Sequence, residues 1–348
     1  MPTLTTRRKF GALALSAVLT ASLSGCFASD TDAAAGPESG FDAIQTAAKG
    51  EGTITWYTSI PEAVSTAAAK DFTEQHGIQV ETIILTSGLL TTRYSTELSS
   101  GSSPADVVTV ADPLFFADAL SKQWIAEFTK GDTPALDAWP ADYTKQNAYA
   151  LVNIQPIGVS VDTTKVDVDK LKASWEHLLD PAFRGQMYLV NPTNVPNWLA
   201  HMNLLRSTYG DDFLKRLGEQ QPKLVDSSVP GTQQVAAGAG ALVYPGLFSV
   251  SKPLSDKGAT LDTVFPSPTS GVEQYAAISK GAPHPNAARL FLDYLLTERA
   301  QKIINKGTGS SPLGPLEGTL PLPEGYVTPD IAAALQVKDE ILGLMSLN

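Results

Sequence analysis

The chain has one cysteine, few basic residues and no apolar run long enough to span a membrane. Cys26 is the single thiol among 348 residues, so an internal disulfide is impossible. A spanning helix needs about 20 consecutive apolar residues, and no segment supplies them. Acidic residues outnumber basic ones by 36 to 25, and the net charge is −11. A chain this acidic is not expected to bind nucleic acid or anionic lipid surfaces.

The common signatures of catalysis are also missing from the sequence. It contains neither a Gly-x-Ser-x-Gly elbow nor a His-Glu-x-x-His pair. The four histidines lack the spacing of a metal site; they are His76, His177, His201 and His284. We therefore expect a protein that is not an enzyme and that carries no cofactor.

The first 25 residues have the pattern of a signal peptide. A basic cluster at residues 7–9 precedes an uncharged, mostly apolar run at residues 10–23. The next step, LSGC at 23–26, resembles the lipobox of bacterial lipoproteins, which are cut before the cysteine and acylated on it. A chance or buried thiol is the alternative for Cys26. The basic cluster also resembles a twin-arginine signal, so twin-arginine and general export both stay open.

Residues 26–49 are predicted to be a lipidated flexible leash. The part from 28 to 40 is small, polar and acidic, and it lacks the large apolar side chains that offset the entropy of ordering. Removal of residues 1–25 takes away three basic and no acidic residues, which leaves 323 residues with a net charge of −14. A chain of that length usually divides into two domains.

Beyond residue 52, short β-rich runs alternate with amphipathic helical runs. This alternation predicts parallel strand pairing and an α/β sheet. A second α/β unit follows the first, and two extended segments join them, so we expect a two-lobed body with the ligand cleft between the lobes. The predicted boundaries are residues 50–153 plus 267–348 for lobe 1 and residues 154–266 for lobe 2.

Five polar loops fall where a strand passes into a helix. In open α/β sheets, ligands lie beyond the carboxyl ends of strands, and hydroxyls with free N–H groups at helix starts suit an anion. The alternative is that these hydroxyls are ordinary helix caps, worth about 1 kcal/mol each. The candidate ligand-binding residues are Thr58, Ser59, Thr86, Ser87, Gly88, Asp112, Thr193, Ser227, Ser228 and Tyr244.

Four segments carry a family resemblance. They are TWYTS at 55–59, LTSGL at 85–89, SWEHLLDP at 174–181 and KGAPHPNAA at 280–288. Together they resemble the periplasmic solute-binding proteins of the ferric-iron, phosphonate and sugar-phosphate type, which feed ATP-driven importers. The resemblance implies a type II periplasmic-binding fold with discontinuous lobes, a hinge of two extended crossovers and no catalysis.

The resemblance leaves two ligand classes open. Iron-binding members use a His or Glu after the first strand and paired tyrosines in the second lobe. Here the first loop has Glu62 but no His, and the second-lobe position has the single tyrosine Tyr244. Carboxylate and phenolate oxygens suit a hard trivalent cation, so ferric iron held by these two residues is one alternative. The hydroxyl-rich loops favour an oxyanion such as a phosphonate or a phosphorylated organic compound.

The leading hypothesis is therefore a lipid-anchored protein that delivers this solute to an ABC importer. Its expected partners are the small ligand, the permease subunits and the membrane. Acylated Cys26 would hold it, as a monomer, at the outer face of the cytoplasmic membrane. An extracytoplasmic enzyme or a sensor on the same fold is the alternative.

Overall fold

Strands and helices alternate through residues 38–347, the part of the chain that the computed structural model describes. Cys26, the predicted signal peptide and the start of the predicted leash lie outside these residues. The strands are β1 (Ile54–Thr58), β2 (Val80–Ile84), β3 (Val107–Val110), β4 (Thr144–Lys145), β5 (Tyr149–Asp162), β6 (Met187–Val190), β7 (Lys223–Val225), β8 (Leu242–Leu247), β9 (Leu261–Val264) and β10 (Gly271–Ile278).

The α-helices flank these strands on both sides of the sheet. They are α1 (Phe41–Ala48), α2 (Glu62–His76), α3 (Ser87–Ser99), α4 (Pro113–Ser121), α5 (Val168–Ala173), α6 (Pro196–Tyr209), α7 (Asp211–Glu219), α8 (Ser228–Ala236), α9 (Phe248–Ser255), α10 (Pro285–Leu296), α11 (Glu298–Ile304), α12 (Ile331–Gln336) and α13 (Lys338–Leu344). In the described part of the chain, none combines the length and apolarity that a membrane crossing requires.

Helix α1 lies inside the segment predicted to be a leash. Ile44 and Ala48 are fully buried and stand one turn apart, so they form an apolar stripe that packs against α10. This burial offsets the entropy of ordering the segment. Residues 41–48 therefore belong to the folded body, and only residues before them keep the leash prediction.

The sheet has the order β2-β1-β3-β10-β5-β8-β6-β7, with β4 and β9 also pairing β5. Strands β1, β2 and β3 are parallel, as are β6, β7 and β8. We call the β1–β3 half with its helices the first lobe and the β6–β8 half with its helices the second lobe. Each lobe repeats the strand–helix alternation that the sequence predicts, and the two-lobed α/β fold is confirmed.

Strands β5 and β10 join the two lobes. They pair antiparallel over most of the length of β10, and the later half of β5 pairs β8 and β9 of the second lobe. Pro156 lies within β5 without breaking it. These two strands are the pair of extended crossovers that the resemblance implies.

Three hydrophobic cores support the lobes. Two lie on opposite faces of the first-lobe sheet, and the third fills the second lobe. The second-lobe core includes Ile331, Ala334, Ile341 and Met345, because α12 packs on α6 and α13 on α7. The C-terminal helices thus pack with the second lobe, although they follow residues of the first. The lobe boundaries given from the sequence stay a prediction.

Candidate ligand-binding site

Three strand ends of the first lobe meet in one hydrogen-bonded cluster. The Ser87 hydroxyl accepts from the backbone N–H of Ala111 at 3.0 Å and donates to Ser59 Oγ at 3.0 Å. The backbone N–H of Ser59 donates to Thr109 O at 2.9 Å. We call Ser59, Ser87 and Ala111 the serine shelf. It joins the loops that follow β1, β2 and β3, because the carboxyl ends of parallel strands share one edge.

Two helices begin beside the shelf without a side-chain cap. Helix α2 follows Pro61, and α3 follows Thr86; neither residue makes a side-chain cap hydrogen bond. Their first-turn N–H groups are the kind that an anion satisfies, at the positive end of each helix dipole. Thr86 and Gly88 are exposed beside them. For α3, the ordinary-cap explanation of the hydroxyl loop therefore does not apply.

Asp112 does act as an ordinary cap. Its carboxylate accepts from the N–H of Phe115 at 3.0 Å and so occupies the N-terminus of α4. A capped terminus has one donor fewer for a ligand. We leave Asp112 outside the site that we propose.

The second lobe contributes a matching edge of polar loops. Asn191 Oδ1 accepts from the N–H and the hydroxyl of Thr193, at 3.0 and 2.8 Å. Asn194 Nδ2 donates to Asp226 O at 2.8 Å and ties this loop to the next. Ser227 precedes α8, is exposed and makes no side-chain cap bond. The free groups of this edge are thus Ser227 and the N-terminus of α8.

Two of the candidate hydroxyl residues lie inside the protein instead. Thr58 is fully buried, and its Oγ1 accepts from the N–H of Ile60 at 3.1 Å. The buried hydroxyl of Ser228 donates to Pro245 O at 2.8 Å. Both side chains are buried as well as bonded to a neighbouring backbone group, whereas Ser87 is partly exposed, so neither hydroxyl is available to a ligand.

Tyr244 lies in the second-lobe core. Its ring packs edge-on to Trp175, and its hydroxyl is 2.8 Å from His201 Nδ1. Burial raises the pKa of Tyr244 above its usual range, and burial lowers the pKa of His201 to about 3. Both groups are therefore neutral at physiological pH, which disfavours the phenolate that a ferric ion would need. Strand β8 alternates its side chains between faces, and sequence alone does not tell which face Tyr244 takes.

Glu62 does not join a metal cluster. It stands exposed in the first turn of α2. Among residues 38–347, no three His, Cys, Asp or Glu side chains come together as ligands of one ion. Arg93, which the sequence pairs with Glu97 on α3, makes that ion pair at 2.7 Å.

Sequence reasoning missed Gln274, which the hinge brings to the shelf. Its Nε2 donates to Ser59 O at 3.2 Å and lies 3.4 Å from Ser59 Oγ. On the same face of the hinge, Gln155 Oε1 accepts from Ser249 Oγ of the second lobe at 2.8 Å. Gln274 thus contacts the first lobe and Gln155 the second. The sequence signal that points to Gln274 is its polar side chain within β10, a strand whose residues are all buried.

Residues 54–307 match the family of bacterial extracellular solute-binding proteins. The chain belongs to this family. An uncharacterized protein of Haemophilus influenzae is 24% identical over 168 residues, which cover 46% of this chain and 48% of that protein. This solute-binding protein therefore spans about half the length of that relative.

Solved structures share the fold of this solute-binding protein. Iron-bound HitA of Pseudomonas aeruginosa matches with a TM-score of 0.66 and 20% identity over 85% of this chain and 98% of that one. AfuA of Actinobacillus pleuropneumoniae, with fructose-6-phosphate bound, matches with a TM-score of 0.64 and 19% identity over 85% and 99%. At these identities the likeness concerns the fold, which is the two-lobed type II periplasmic-binding fold.

Proposed function

We propose that this solute-binding protein captures a small oxyanion, such as a phosphonate or a phosphorylated organic compound, and delivers it to an ABC importer. The observation that carries the proposal is the serine shelf beside the uncapped N-termini of α2 and α3. Hydroxyls and free helix N–H groups donate hydrogen bonds without charge, and they suit phosphate-like groups. In the second lobe, the hydroxyl of Ser227 and the N–H groups at the start of α8 supply further donors.

The proposal implies that ligand favours closure of the two lobes. A ligand shifts such an equilibrium only by its excess affinity for one state. Contacts from both lobes exist only when the cleft is closed, so a ligand that bridges Ser87 and Ser227 would have that excess. The hinge of β5 and β10 would take up the motion, and the importer's permease would recognise the closed form.

Ferric iron is a second candidate, favoured by the fold shared with iron-bound HitA. The iron ligands that the sequence suggests are Glu62 and Tyr244. Burial of Tyr244 and its hydrogen bond to His201 weigh against this set. The fructose-6-phosphate named for AfuA weighs towards the oxyanion.

As a carrier and not an enzyme, the protein would release its ligand chemically unchanged. It would act as a monomer.

A thermal-shift panel tests the ligand class. Wild-type protein is heated with alkylphosphonates, sugar phosphates, inorganic phosphate and ferric citrate. A ligand at about a hundred times its dissociation constant stabilises the fold by roughly 2.7 kcal/mol, so one of the oxyanions should raise the melting temperature. A shift with ferric citrate alone, together with visible colour from a phenolate–iron complex, would favour iron. No shift with any oxyanion contradicts the proposal.

We also propose that lipid on Cys26 holds the body near the importer. Acyl chains contribute about 0.8 kcal/mol for each buried methylene, so two or three chains anchor a protein without a spanning helix. Cys26→Ala should move the protein from the membrane fraction to the soluble fraction and leave its ligand affinity unchanged. Retention of the variant in the membrane fraction would contradict the anchor.

A further inference from the structure

The hinge holds two buried amide oxygens that no described group satisfies. Gln274 and Asn153 oppose each other across β10 and β5 and are 3% and 0% exposed. Gln274 Oε1 and Asn153 Oδ1 have no hydrogen-bond partner among residues 38–347. Roughly nine in ten buried polar groups are hydrogen-bonded, so two unpaired oxygens on directly opposed residues require an explanation.

The orientation of both amides follows from their nitrogen atoms. Gln274 Nε2 lies 3.2 Å from the carbonyl oxygen of Ser59, which only accepts hydrogen bonds. Asn153 Nδ2 donates to Asn305 Oδ1 at 2.8 Å, because the Nδ2 of Asn305 is already directed at Gln301 Oε1 at 2.9 Å. Exchanging oxygen and nitrogen in either amide would place two acceptors together. Both oxygens are therefore fixed as acceptors.

The two amides are direct neighbours on the hinge. Residues directly opposite in an antiparallel pair have Cβ atoms about 5 Å apart and point to the same face of the sheet. This pair of amides adjoins the serine shelf through the bond from Gln274 to Ser59. On the other face of the hinge, the buried carboxylate of Glu273 is already hydrogen-bonded. It accepts from the hydroxyls of Tyr275 and Tyr326 at 2.7 and 2.8 Å.

We propose that Gln274 and Asn153 form an acceptor pair that binds a hydroxyl or ammonium group of the ligand. The inference rests on the proposed function, because the oxyanion of the same ligand lies on the serine shelf. It narrows the substrate class to oxyanions that carry a hydrogen-bond donor a few atoms away. Aminoalkylphosphonates and hydroxylated organophosphates have this chemistry, whereas inorganic phosphate and simple alkylphosphonates lack the second group.

Calorimetric titration of the wild-type protein with matched phosphonates tests this preference without any variant. Aminoethylphosphonate and hydroxyethylphosphonate carry a donor where propylphosphonate carries a methyl group. We expect one of the donor-bearing probes to bind about tenfold more tightly than propylphosphonate, since an acceptor left unpaired in a buried site is unfavourable. Equal affinity of all three would overturn the acceptor pair and leave the proposed function standing. If no phosphonate and no sugar phosphate binds, both proposals fail.

Gln274→Met removes the amide and keeps the length of the side chain. We expect this variant to lose the preference, with the three probes binding within about twofold of one another.

Gln220→Met is the matched control. Gln220 is 7% exposed, and its Nε2 donates to Leu179 O at 3.0 Å. Its Oε1 also has no partner in the described part of the chain, but Gln220 follows α7, away from the hinge. The control should keep the preference. A Gln274→Met protein that keeps it too would overturn the inference, and if that variant does not fold, the wild-type titration decides.

Discussion

Ser87 donates a hydrogen bond to Ser59 across 3.0 Å, although 28 residues separate them in the chain. The contact exists because β1 and β2 are parallel and adjacent, so that their following loops meet at one edge. The carbonyl oxygen of Ser59 in turn accepts a hydrogen bond from the side-chain amide of Gln274, which lies on β10, one of the two hinge strands. The proposed anion site is thus connected directly to the strands that would bend when the lobes close.

Loss of the Ser87 hydroxyl should weaken oxyanion binding. Ser87→Ala removes the hydroxyl that donates to Ser59 Oγ and leaves the N–H of Ala111 without its 3.0 Å acceptor, so the Ser59 hydroxyl loses the group that orients it on the shelf. We expect affinity to fall by about tenfold, the usual consequence of losing a hydrogen bond to a charged group. Titration with the best oxyanion of the panel measures it. Ser121→Ala, which removes an exposed hydroxyl at the end of α4, should bind like wild type, and equal affinity of both variants would argue against the shelf.

Tyr244→Phe should affect stability but leave ligand affinity unchanged. The change leaves His201 Nδ1 without its partner at 2.8 Å inside the second-lobe core, and an unpaired buried group costs about 1–3 kcal/mol. Denaturant unfolding measures the loss, and titration checks the affinity. If the variant instead keeps its unfolding free energy and loses ligand binding, Tyr244 would be a ligand-binding residue, and ferric iron would again be a candidate ligand.

Asp293 should make the fold less stable as pH rises. Burial raises the pKa of Asp293 to about 6, above the value of about 3.9 for an unfolded chain. The folded state therefore holds the proton more tightly, and its stability falls as pH rises from about 4 through about 6. Asp293→Asn should remove this dependence and raise the unfolding free energy at pH 7 by about 1–3 kcal/mol.

The amide oxygen of that variant can still accept from the N–H of Ala135, as Asp293 does at 2.7 Å. Asp118→Asn is a suitable control, because Asp118 is exposed and pairs with Lys122 on the surface. Urea unfolding at several pH values compares the two. A wild-type stability that is flat or rising between pH 4 and 6, relative to Asp293→Asn, would contradict this prediction.

Gly246 should tolerate no side chain. A Cβ at this position would lie 2.2 Å from the backbone nitrogen of Ser160, because β8 pairs with β5 at an irregular point of the register, where Gly246 lies opposite Gly158. Gly246→Ala should lower the unfolding free energy by about 1–3 kcal/mol through overpacking. Gly50→Ala meets only an ordinary contact at 3.6 Å and should change stability little. Equal melting temperatures of the two variants would contradict this close approach of β8 and β5.

The sequence predicts the convergence of the β1 and β2 loops because the alternation of strands and helices implies parallel pairing. It does not predict Gln274, since β10 enters the sheet between β3 and β5 from far along the chain. It also does not separate Asp112, which caps a helix, from Thr86, which does not, because both residue types suit either role. Both faces of β8 are buried, and the partners of Tyr244, which are His201 of α6 and Trp175, come from parts of the chain that the local sequence of β8 does not specify.

Native mass spectrometry of freshly purified protein tests the central claim most directly. We predict that the wild type carries an adduct with the mass of a phosphonate or phosphorylated organic compound, and that the Ser59→Ala/Ser87→Ala double variant does not. Ser121→Ala should keep the adduct. An adduct with the mass of one iron ion, or the same organic adduct on the double variant, would contradict the serine shelf as the ligand site.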